Sequence, residues 1–233
     1  MNRKQKGLLA LPVIVVVVVV GYTAALGISF GFDSPALEFP ISEPDRVERL
    51  SAYHTPDWGE PGVFHNGIDL VISDDVTIVS PVRGTVVAMS ENINPYAGNV
   101  LFDVAISVNW GWEVKLVLEP GFLDSVNNSL QSTMIDATVG QQVEPGDILG
   151  TLLFSDNYPH LHYMLFSFGS DVCAYNYSTT EAKSTFESIA VRSGSTILYP
   201  YESPSLLLSP IVIAPVVLGV TYVIAVAIVF RRD

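Results

Sequence analysis

Apolar and polar residues divide this chain into three regimes. Residues Leu8 to Phe32 carry no charge and include six successive valines, Val15 to Val20, and Leu206 to Phe230 is likewise uncharged. Between these ends, from about Gly62, short runs rich in Val, Ile and Phe alternate with Gly, Pro, Asn and Asp. The runs Thr77 to Val79, Gly84 to Met89, Asn99 to Val108, Trp112 to Leu118, Asp147 to Phe154 and Leu161 to Phe166 have the length and composition of antiparallel strands. There is no long amphipathic helical period, heptad or solenoid repeat. The pattern predicts an all-β antiparallel core over 62–168. Residues 33–61 hold Pro35, Pro40, Pro44 and Pro56 and read as irregular, with one helical turn around Asp45 to Ser51. Residues 169–205 read as a membrane-proximal segment with a short helix over Ala182 to Ile189.

The two ends predict membrane anchoring. Each uncharged stretch is 25 residues long. A helix of about 20 residues crosses a hydrocarbon core of about 30 Å, whereas the apolar part of a signal peptide is about 7–15 residues. Transmembrane helices are therefore expected within 1–32 and 206–233, although Thr23-Ala24-Ala25 leaves cleavage of the first as an alternative. Arg3, Lys4 and Lys6 flank the first stretch, and Arg231 and Arg232 the second. Basic flanks stay cytoplasmic. The expectation is a two-pass protein of the cell membrane, both termini cytoplasmic and the central domain outside.

Charge and cysteine content narrow the partners. Five of the 11 basic residues lie in the terminal tails, which leaves 6 basic against 23 acidic residues between Gly7 and Phe230, a net of −17. Such a surface repels nucleic acid. A single cysteine, Cys173, excludes an internal disulfide. The oligomeric state leaves no mark on the sequence.

Candidate chemistry is concentrated in two clusters. Three of the four histidines fall in His65-Asn66-Gly67-Ile68-Asp69 and His160-Leu161-His162. His and Asp are ligand types of catalytic zinc. On a strand, residues two apart share a face, so His160 and His162 point the same way, as do His65 and Asp69 if their stretch is extended. These residues predict a metal site on a β-sheet.

Four blocks in order resemble the M23 family of zinc metallopeptidases, the LytM or lysostaphin type. Phe64 to Leu70 is similar to its H-x-G-x-D motif, and Val79-Ser80-Pro81-Val82-Arg83-Gly84-Thr85-Val86-Val87 to its V-x-A-P-x-x-G-x-V strand pair. Gly140 to Gly150 is similar to its G-Q-x-V turn, and Pro159-His160-Leu161-His162-Tyr163 to its closing H-L-H-F strand. The resemblance covers roughly 54–166. It implies zinc held by His65, Asp69 and His162, with a fourth position open for hydrolysis, and His160 beside the metal as general acid or base. It implies an endopeptidase acting on cell-wall or other small-residue peptides. The family carries a further histidine in a Y-x-H segment, whose two positions fall here on Leu116 and Leu118. Without that histidine, Glu119 or His54 is the candidate accessory group. The same absence supports an alternative, a catalytically impaired M23-like binding or regulatory module of an envelope complex. A biotinyl- or lipoyl-type carrier fits poorly, because the β core's only lysine, Lys115, lies inside an apolar run rather than at a hairpin tip.

Overall fold

The computed structural model describes residues 33–199. The two apolar ends, and with them the transmembrane expectation, lie outside the described residues. Among the described residues no helix is long and apolar enough to cross a membrane.

Among the described residues ten strands dominate: β1 Val47–Ser51, β2 Ile68–Ile72, β3 Val76–Val79, β4 Gly84–Ile93, β5 Val100–Asn109, β6 Trp112–Glu119, β7 Gln142–Val143, β8 Ile148–Leu152, β9 His160–Ser167 and β10 Ser170–Val172. Two helices accompany them, α1 Ser125–Thr133 and α2 Thr180–Ser193. The large sheet runs β1-β2-β9-β6-β5-β4-β7, with β10 also on β9, and β3 pairs with β8 in a second sheet. All these pairings are antiparallel.

Side-chain parity decides what each face does. On β2 the core takes Ile68, Leu70 and Ile72; on β6 it takes Trp112, Val114, Leu116 and Leu118; on β9 it takes Leu161, Tyr163 and Leu165. Val76, Ile78 and Leu152 of the small sheet and Phe186 and Ile189 of α2 belong to the same cluster. Burying one such aliphatic or aromatic side chain contributes about 1.5–3 kcal/mol. Because strand side chains alternate, the residues between these all project from the opposite face. That face carries Asp69, Glu119, His160 and His162.

Three departures from the sequence reading have local causes. The helical turn expected over Asp45 to Ser51 is a 3-10 turn at Pro44–Arg46 followed by β1. An available edge overrides weak local propensity: Val47 and Leu50 are buried as β1 pairs with β2. Helix α1 was not expected; its sequence is largely polar, and its start is fixed by the Asp124 side chain accepting from the Asn127 N–H. The short helix expected over Ala182 to Ile189 extends over Thr180–Ser193, capped by Thr179 and ended by Gly194 in a left-handed conformation.

Candidate metal centre

Asp69 and His162 are direct partners across the β2–β9 ladder, so their side chains meet on one face. His65 lies ahead of β2, where backbone hydrogen bonds link His54 N–H to its carbonyl and its own N–H to Thr55. Its ring reaches the same spot. His65 Nε2 lies 3.0 Å from Asp69 Oδ1 and 3.1 Å from His162 Nδ1, and His162 Nδ1 lies 2.6 Å from Asp69 Oδ1. Gly67 is needed for this approach: a Cβ there would meet the His162 ring at 2.7 Å.

The surrounding hydrogen bonds fix which nitrogens are bare. His65 Nδ1–H donates to the Ala52 carbonyl at 2.8 Å, which leaves Nε2 with a lone pair. His162 Nε2–H donates to Asn66 Oδ1 at 3.1 Å, which leaves Nδ1 bare. Burial opposes the charge of Asp69, yet its contacts with the His162 and His65 rings, which are hydrogen bonds whenever a proton lies between ring and carboxylate, hold its carboxyl well below the usual carboxylate range. Its Oδ2 is buried without a hydrogen-bond partner. Two lone pairs and a carboxylate therefore converge, and either protons or a cation must lie among them. A tetrahedral zinc with bonds of about 2.0–2.1 Å needs donors about 3.3 Å apart. The two His65 spacings are two to three tenths of an ångström short of that and the His162–Asp69 spacing about 0.7 Å short, so a bound zinc requires His162 and Asp69 to move apart by side-chain rotation. These three residues could hold a metal, and they fit it in type, tautomer and position.

His160 stands beside the three. Its Nδ1–H donates to the Tyr158 carbonyl at 2.9 Å, and its Nε2 lies 3.5 Å from Glu119 Oε1 and 3.7 Å from Asp69 Oδ1. Burial works against its charged form, but hydrogen bonding to Glu119 and the two carboxylate charges outweigh it and push its pKa up to about 9. His160 is thus poised to donate a proton rather than accept one.

The structure corrects the assignment of the missing histidine. Leu116 and Leu118 face the hydrophobic core and are almost wholly buried, so neither borders the site. The residue opposite His160 on β6 is Glu119, itself 8% exposed and hydrogen-bonded by Asn94. The proposed pair of positions is shifted by one residue, which on a strand reverses the face. Leu118→His is therefore expected to place an imidazole in the core, to lower stability by about 3 kcal/mol and to add no activity. Urea unfolding of the variant measures this.

His54 is also relocated. Its ring stacks on Phe64 at 4.7 Å, and it is not among the residues that line the groove. The side chain over His65 is Trp58, stacked at 4.1 Å. No sequence signal marked Trp58. Of the two accessory candidates, it is Glu119 that lies beside His160.

Asp69, Glu119, His160 and His162 line a groove of about 610 Å³ together with Trp58, while His65 is fully buried. Its far wall is the β4–β5 hairpin, where the Tyr96 ring lies against Gly59 of the opposite loop. Lys115 lies in the groove, paired with Asp103 at 2.9 Å, which explains a lysine within an apolar run.

The solved structures that this chain resembles are M23 peptidases and their relatives. A zinc-containing peptidase from Vibrio cholerae shares 18% identity, with 60% of this chain and 39% of that one covered and a TM-score of 0.41. Csd3 from Helicobacter pylori shares 20% identity over 68% of this chain and 41% of its own, with a TM-score of 0.43. A variant of the catalytic domain of the prophage-encoded M23 protein EnpA from Enterococcus faecalis shares 22%, covering 60% and 92%, with a TM-score of 0.40. The chain spans about two fifths of the length of the first two. No family model matches the sequence, and no curated protein matches it. These TM-scores lie below 0.5, and the functional reading is built on the groove's own side chains.

Proposed function

We propose that this chain is a membrane-anchored zinc metallo-endopeptidase whose central domain acts outside the cytoplasm on cell-wall or other small-residue peptides. The observation that carries the reading is the convergence of one ring nitrogen from each of His65 and His162 on the Asp69 carboxylate beside an open groove, with His160 alongside. His65, Asp69 and His162 would hold the zinc. When bound, zinc supplies a Lewis acid that polarises a peptide carbonyl and acidifies water. His160 holds a proton at Nε2, at the edge of the same groove, where a departing amine or developing oxyanion would receive it. Glu119 keeps that proton in place. Trp58 and the Tyr96–Gly59 contact narrow the groove, which supports small residues beside the cut bond. The uncharged segments 8–32 and 206–230 support the anchor.

The Glu119 side chain favours a second reading, a binding or regulatory module that keeps the metal without turnover. It puts a carboxylate where the resembled family carries a neutral-to-cationic ring, and a carboxylate repels a developing oxyanion. The two readings separate in one assay. The zinc-loaded chain is expected to cleave a glycine-rich peptide library, and a chelator is expected to abolish the cleavage. A folded, zinc-loaded sample inactive on that library and on isolated cell envelopes would establish the binding module instead.

A further inference from the structure

The groove holds one cation that the metal centre does not use. Among the described residues, Lys115 is the one lysine or arginine that lines it. Its position is held by a network. Lys115 Nζ lies 2.9 Å from Asp103 Oδ2, and the same oxygen accepts from Ser90 Oγ at 3.0 Å and Asn92 Nδ2 at 3.1 Å. The Asp103 side chain is 10% exposed and that of Lys115 is 32% exposed. Three donors thus share the Asp103 charge, and the ammonium is the open end of the pair. An ammonium carries three N–H donors. Asp103 occupies one, and the part-open side chain presents the others to the groove.

Strand register sets how far this cation stands from the metal centre. Across β6 and β9, Glu119 pairs with His160, Val117 with His162 and Lys115 with Met164. Alternation puts all six on the groove face. At about 3.3 Å per residue, Lys115 lies about 7 Å along the sheet from the row that holds His162. An extended peptide advances at the same rate. With its scissile carbonyl at the metal centre, such a peptide brings the second residue from that bond to Lys115. The floor between them is Val117 and Met164, both apolar and buried. The domain is strongly acidic, so a carboxylate is selected by this contact and not by long-range attraction.

We propose that Lys115 is a specificity-determining residue that binds a carboxylate on the second residue from the cut bond, on one side of it, so that the groove selects acidic peptides. The inference rests on the peptide-binding reading of the groove above and gives it a substrate class. If Lys115 served only to neutralise Asp103, the groove would show no such selection.

The test uses the zinc-loaded full chain and glycine-rich peptides in which a single Glu or Gln is moved along the sequence, with binding and cleavage both measured. Glu at the second residue is expected to raise kcat/KM about tenfold over Gln, the scale of a charge-assisted hydrogen bond. The gain should lie mainly in KM, appear equally in the dissociation constant, and shrink at high salt. Lys115→Gln should lose the preference and Lys115→Arg should keep it. In both variants Asp103 retains Ser90 and Asn92, and circular dichroism checks the fold. Peptides that end at the second residue, as free acid or as amide, show whether a terminal carboxylate serves as well as a side-chain one; preference for either form supports the subsite. Equal binding and cleavage of Glu and Gln peptides would refute the subsite and leave the endopeptidase standing. Preferential binding of the Glu peptide without turnover would support the subsite and establish the binding module. An acid preference that survives in Lys115→Gln would assign the carboxylate to another group and overturn the proposal. If no peptide binds, the groove reading and the subsite fail together.

Discussion

Replacing His162 by alanine is expected to abolish zinc binding while leaving the sheet folded. In the wild type His162 Nδ1 is one of three converging donors, and its ring stands on the groove face of β9, partly open to solvent. Its removal creates no cavity in the core, which lies behind β9 on the other face. Two protein ligands remain, and they do not hold zinc against water. Loss of an outer hydrogen-bond partner of a ligand costs about 10–100-fold in metal affinity, so loss of a ligand itself should cost more. A second readout comes from stability. Zinc at 1,000 times its dissociation constant stabilises the folded chain by about 4 kcal/mol. The wild type should melt higher with zinc than with chelator, and His162→Ala should melt alike in both. Elemental analysis should give one zinc per wild-type chain. Full occupancy in His162→Ala would show that the ligand set is misassigned.

His160→Ala is expected to leave the zinc in place and to reduce kcat by about 10²–10⁴-fold, the usual contribution of a positioned acid or base. The ring lies 3.7 Å from Asp69 through Nε2, but its Nδ1–H is committed to Tyr158 and it is not one of the three converging donors. Glu119→Gln makes the complementary test. Glu119 and Asp69 together raise the His160 pKa to about 9. In the zinc-loaded site the metal offsets the charge of Asp69, so Glu119 becomes the group that retains the proton. Removing its charge lowers the His160 pKa. If protonated His160 is the active form, activity is lost as pH rises through that pKa, and the alkaline limb of the kcat/KM profile should move to lower pH in Glu119→Gln. An unmoved limb would mean that His160 is not the titrating acid.

The sequence by itself determined the large features and most of the site. Runs rich in Val, Ile and Phe between turn residues marked six strands of the core, because burying one face of a pleated strand imposes a period of two. The His65–Asp69 and His160–His162 spacings predicted a metal site on a sheet, and the resemblance to the M23 family implied which three residues would be its donors and which histidine would stand beside them. The same period shows why the next assignment failed. Leu118 and Glu119 are adjacent in the chain, and only pairing with β9 decides which of them faces His160; a shift of one residue exchanges core for groove. No local pattern carries that register, since it is set by hydrogen bonds between strands far apart in sequence. Trp58 and Asn66 were illegible for a related reason. Their roles, stacking on His65 and fixing the His162 tautomer, exist only once the loop before β2 folds against β9.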